Sequence, residues 1–169
     1  MVTASALRNA RAALCGLGLL LVLGACGFRL QGRMPLPASM RAVYLDVSDA
    51  QSDFAQALRA SLVSSGARLV DAPDPAAATV QVSRDRVSER VLTVSARNIP
   101  TDYELTYEVE IAVRGSGRDL IAPEPLSLSR VYSFDERQLL AKDREKQLLQ
   151  DALARDMAGV VMRRLSSLP

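Results

Sequence analysis

The side chains that usually carry out covalent or metal chemistry are scarce in this 169-residue chain, which has no histidine and two cysteines, Cys15 and Cys26. Without an imidazole the commonest general base and metal ligand is missing. Carboxylates gather at Asp102, Glu104, Glu108 and Glu110, and a carboxylate pair at the right separation does acid–base work at a glycosidic bond. Their period-two spacing instead fits the solvated face of one strand. No segment has the spaced acidic loop of a calcium site, and no nucleophile elbow, P-loop or dinucleotide glycine fingerprint occurs. The sequence therefore argues against an enzyme and against a metal centre.

Cys26 is the exception, because of what precedes it. Arg8 and Arg11 lead into an uncharged apolar stretch from Ala12 to Ala25, the layout of a secretory signal peptide and shorter than the roughly 20 residues of a membrane span. Leu23-Gly24-Ala25-Cys26 closes it in the pattern of a bacterial lipobox. The expected processing removes residues 1–25 and leaves Cys26 as the first residue, bearing an S-diacylglycerol and an N-acyl group. Several acyl chains give stable anchoring where one gives only marginal binding. Cys15 leaves with the signal and Cys26 is committed to lipid, so no thiol remains for a disulfide, a metal or a nucleophile. Gly27 stands where an aspartate would retain the lipoprotein at the inner membrane, which points to the outer membrane and its periplasmic face. Loss of Arg8 and Arg11 leaves 19 basic and 19 acidic residues, so no net basic field argues for nucleic acid.

The remaining length suits one domain. Residues 26–40, with Pro35 and Pro37, read as a lipidated tether, and residues 41–169 as a single domain. Arg41–Val47 fits a strand. Ser52 or Asp49 caps a helix with Phe54, Leu58 and Leu62 at every fourth position and Gly66 at its end. Val80 and Val82 alternate with polar neighbours, but Val87 and Val91 fall on the other parity, which predicts a bulge near residues 83–86. Tyr103–Arg114 is the clearest strand, with odd residues apolar and even residues polar. After Gly115-Ser116-Gly117 and the prolines Pro123 and Pro125, Leu126–Phe134 forms a less regular strand. A long helix from about Gln138 to Leu165 carries Leu149, Leu153, Met157, Val160, Val161 and Leu165 on one stripe. This order predicts an α+β two-layer sandwich: a mixed or antiparallel sheet of about four strands, with two helices on one face.

Three arginines, Arg84, Arg86 and Arg90, share one face of the second long strand and would meet the acidic face of the third, which fixes register before it does anything else. Arg97 lies in the hairpin Ser95–Thr101, where Asn98 and Pro100 are turn formers, and Lys142 stands at the entry to the last helix. A loop tip and an element boundary are where binding residues tend to sit.

Several short stretches together resemble the LptE family of lipopolysaccharide-assembly lipoproteins: Cys26-Gly27-Phe28-Arg29-Leu30, Leu36-Pro37 before the first strand, Leu139-Leu140-Ala141-Lys142-Asp143, and Arg163-Arg164-Leu165 ending the helix. The resemblance implies a sandwich of two helices and four strands that plugs the lumen of the outer-membrane β-barrel LptD in a 1:1 complex. It also implies a role in that barrel's assembly and contact with lipopolysaccharide on its way to the outer leaflet. The family's basic contact residues match Arg97 and Lys142, in physical accord with the charge-assisted bonds that phosphates accept. Where relatives often follow the loop arginine with asparagine and glycine, this chain has Arg97-Asn98-Ile99-Pro100. Tyr132 and Phe134 are candidates for contact with the barrel. The competing expectation is a non-catalytic scaffold lipoprotein of another envelope assembly machine.

Overall fold

A computed structural model describes residues 34–134 and 139–168; Cys15, Cys26 and the expected signal peptide lie outside these. A 3-10 turn, Ala38–Met40, leads into strand β1 (Ala42–Val47), helix α1 (Asp53–Ser64), strands β2 (Arg68–Val70), β3 (Ala78–Val94), β4 (Pro100–Gly115) and β5 (Arg118–Ser133), and helix α2 (Leu139–Ser166). The strands form one sheet in the order β2-β1-β3-β4-β5. β1 is parallel to both its neighbours, and β3, β4 and β5 form an antiparallel meander.

Local signals account for α1. The Ser52 Oγ accepts the Ala55 N–H at 3.1 Å, and Phe54, Leu58 and Leu62 are fully buried. Gly66 takes the positive φ of +91°, so that its N–H reaches Val63 and the Ala67 N–H reaches Leu62, both at 3.0 Å. That paired closure satisfies carbonyls the helix leaves open. The Ser52 hydroxyl also donates to Asp85 at 2.5 Å, and Tyr107 donates to the same carboxylate at 2.7 Å, tying the start of α1 to the sheet.

The alternation in β4 is realised as expected: Leu105, Tyr107, Val109, Ile111 and Val113 are buried, and their even-numbered neighbours are less so apart from Ala112. In β3 the ladder slips between Val82 and Arg84, and this bulge puts Val87 back on the side of Val82. α2 is broader in its packing than one stripe. Leu153, Met157, Val161 and Leu165 are buried, and so are Ala154, Ala158 and Met162, because the helix packs on α1 as well as on the sheet.

Two expectations about strands are corrected. The sheet has five strands, since Arg68–Val70 adds a three-residue edge strand beside β1, too short to show a period. β5 begins at Arg118, before the prolines. Pro123 and Pro125 are tolerated because β5 pairs with β4 alone, so a missing N–H on its outer side breaks no ladder. The register shifts between Ile111 and Val113 and between Val113 and Arg114 each absorb one extra residue of β5. Of the segment read as a tether, Met34 and Leu36 pack against the core and Met40 is buried within it.

Candidate functional site

The three meander strands are 16 or 17 residues long, longer than the helices' apolar cover, and their far end holds both candidate cations. The β3–β4 hairpin closes there through Ser95 N–H to Ile99 O at 2.8 Å and Asn98 N–H to Ser95 O at 2.9 Å. Asn98 takes φ +59°, a conformation asparagine adopts more readily than most residues. Arg97 is exposed at this tip. β5 ends beside it, where the Phe134 N–H donates to Thr101 O at 2.7 Å, and α2 starts a few residues later. The structure thus brings Arg97 and Lys142 to the same end of the molecule.

Their surroundings differ. Arg97 enters none of the ion pairs among the described residues. The Lys142 side chain is 16% exposed, and its ammonium bonds Glu145 at 2.7 Å, so an incoming anion must compete with that carboxylate. Lys142 also lies in the first turn of α2, where the helix dipole disfavours a cation.

One helical turn further, about 6 Å along the axis, Lys146 reaches Glu89 on β3 at 2.5 Å, with side-chain exposures of 33% and 26%. Tyr132 on β5 donates its hydroxyl to the same carboxylate. Burial pushes the Glu89 carboxyl up, but the hydrogen bonds from Lys146 and Tyr132, with the Lys146 charge, outweigh it and hold the group below its ordinary range. Burial, and then the Glu89 bond, push the Tyr132 phenol upward. On β5, Arg130 donates to Asp156 of α2 at 2.6 Å. Glu89 and Arg130 both pair in register with Leu105 on β4, the middle strand of the meander, so two polar clasps on either side of β4 hold the outer length of α2 to the sheet.

This cluster escaped the sequence reading. Its one signal was Glu89 itself, an acid on the parity of Val87 and Val91. Tyr132, expected at a partner surface, is only 7% exposed; it stacks on Tyr103 at 5.7 Å between ring centres and supports α2 from within. Phe134 is half-buried and meets Tyr103 edge-on at 5.5 Å. On the outer face, Arg84, Arg86 and Arg90 stand opposite Glu110, Glu108 and Glu104 as the alternation requires, and Arg90–Glu104 closes to 2.5 Å. None of the helices among the described residues is long and apolar enough to cross a membrane.

Two helices packed together against an open mixed sheet define a two-layer α+β sandwich domain. Residues 40–165 match the family LptE, described as lipopolysaccharide-assembly. The chain is 26% identical over 153 residues to the LPS-assembly lipoprotein LptE of Pectobacterium atrosepticum, covering 89% of this chain and 81% of that protein. It is 26% identical over 156 residues to the Yersinia enterocolitica protein of the same name, covering 90% and 73%. In fold it is similar to the rare lipoprotein B of Shewanella oneidensis, at 26% identity with a TM-score of 0.68 over 75% of this chain and 94% of that one. It is also similar to lipoprotein B of Nitrosomonas europaea, at 23% identity with a TM-score of 0.69 over 83% and 91%. The chain belongs to the LptE family: it is a non-catalytic lipopolysaccharide-assembly lipoprotein of the cell envelope.

Proposed function

We propose that Cys26, S-diacylglycerylated and N-acylated, anchors this lipoprotein in the outer membrane facing the periplasm. There the folded domain plugs the LptD barrel 1:1, aids its assembly, and contacts lipopolysaccharide during its insertion into the outer leaflet through Arg97 and Lys142. The observation that carries this reading is the placement of these two cations at one end of the sheet, with Lys142 set against the dipole of its own helix. A lipid phosphate can bond the Arg97 guanidinium in two places, and it can take the Lys142 ammonium from Glu145. The outer sheet face, with its ladder of arginines and carboxylates, suits the water-filled lumen of a barrel. Phe134, still partly exposed, is the aromatic that remains available for contact with the barrel wall.

The test is double charge reversal, R97E/K142E. Hydrogen bonds to charged groups contribute about 1.5–3 kcal/mol each, so binding of lipopolysaccharide at low salt should weaken at least about tenfold, with the fold retained by circular dichroism. Unaltered binding would rule these residues out. Isolation of the tagged chain from outer membranes should bring down one very large barrel protein in equal amount. Recovery of a different envelope complex and no barrel would favour a scaffold of another machine.

A further inference from the structure

The end of β3 breaks the pattern that governs the rest of the sheet. As far as Val82 its apolar side chains are buried, yet Val91, Leu92 and Val94 are 47%, 44% and 51% exposed. No charged residue falls between Arg90 and Arg97. The ladder to β4 slips between Val91 and Thr93, and again between Thr93 and Val94. Leu92 is the residue left over at the first slip, and bulges of this kind re-aim the side chains around them. Exposed aliphatic clusters on a strand end invite association unless something covers them.

The charges beside the strip say what that is. Arg90 is held by Glu104 at 2.5 Å, and Asp102 accepts the Thr93 hydroxyl, so both are occupied within the sheet. Arg97, three residues beyond Val94, is exposed and enters no ion pair among the described residues. An uncharged aliphatic strip about 10 Å long, ending in an exposed guanidinium that has no ion-pair partner among the described residues, complements an anionic amphiphile whose headgroup lies at the tip and whose chain lies along the strand.

We propose that Val91, Leu92 and Val94 form the acyl-chain subsite of the lipopolysaccharide site, an inference that rests on Arg97 and Lys142 holding the phosphates. The subsite lets the protein take lipid chains against its own surface while the cations hold the headgroup.

Binding by the full lipidated chain is measured for three probes: intact lipopolysaccharide, the same material after alkaline deacylation with its phosphates retained, and monomeric short-chain phosphatidylglycerol, since vesicles would be bound through the chain's own acyl anchor. V91T/L92T/V94T keeps strand-compatible side chains at exposed positions, and L92S serves as a milder second variant should the triple one not fold. The triple variant should bind intact lipopolysaccharide about tenfold more weakly and the deacylated form as the wild type does, while L92S shows a smaller loss in the same direction. R97E/K142E should weaken both forms. Undiminished binding of the intact form by both strip variants overturns the subsite, and the phosphate site then stands or falls with R97E/K142E alone. Loss of phosphatidylglycerol binding with lipopolysaccharide binding retained also overturns it, and makes the strip a phospholipid contact.

Discussion

Glu89→Gln isolates the clasp that holds the outer length of α2. In the wild type the carboxylate takes a bond from Lys146 at 2.5 Å and another from Tyr132. Charge-assisted bonds contribute about 1.5–3 kcal/mol when well shielded, whereas exposed pairs contribute about 0.2–1 kcal/mol. With side chains 26% and 33% exposed, and with the glutamine oxygen still able to accept from Tyr132, the expected loss at neutral pH is about 1 kcal/mol. For a domain of this size that is a fall in melting temperature of about 2–4 °C. The folded Glu89 titrates below the ordinary 4.5, so its contribution is complete above that value and is lost as the pH falls through the lower, folded value. Urea unfolding of wild type and variant, followed by circular dichroism at neutral pH and at successively lower pH, should show two stability curves that converge below about pH 4.5. A difference that stays constant across this range would refute the argument, because the loss would then owe nothing to the charge of Glu89. The variant should also bind lipopolysaccharide more weakly, since Lys142 stands one turn beyond the clasp.

Ser52→Ala removes both the helix cap and the hydroxyl that bonds Asp85; a loss of about 1–2 kcal/mol is expected by urea unfolding. Met157→Ala leaves a cavity at a fully buried position of α2, and the same measurement should register about 2–5 kcal/mol.

Much of the fold was legible because its signals are local. The Ser52 cap, the Phe54, Leu58 and Leu62 spacing and Gly66 define α1 from within one segment. The odd–even alternation from Tyr103 to Val113 defines β4, and the parity change after Val82 announces the bulge that the ladder shows. What escaped depends on neighbours. Arg68–Val70 is a strand only because β1 lies beside it, and the prolines of β5 are compatible with pairing only because that strand is at an edge.

For the site, the missing histidine argued against catalysis and the lipobox pattern singled out Cys26, whereas Arg97 and Lys142 became candidates only through their positions at a loop tip and a helix entry together with the family resemblance. Tertiary structure decided which side chains meet. It drew Tyr132 inward to bond a Glu89 that lies 43 residues away in sequence, and it set Lys146 of α2 against the same carboxylate, 57 residues away. It also left Val91, Leu92 and Val94 exposed at the end of β3. Burial and pairing are properties of surfaces brought together from distant segments, and no local period encodes them; they appear only when the long meander strands outrun the helices that cover them.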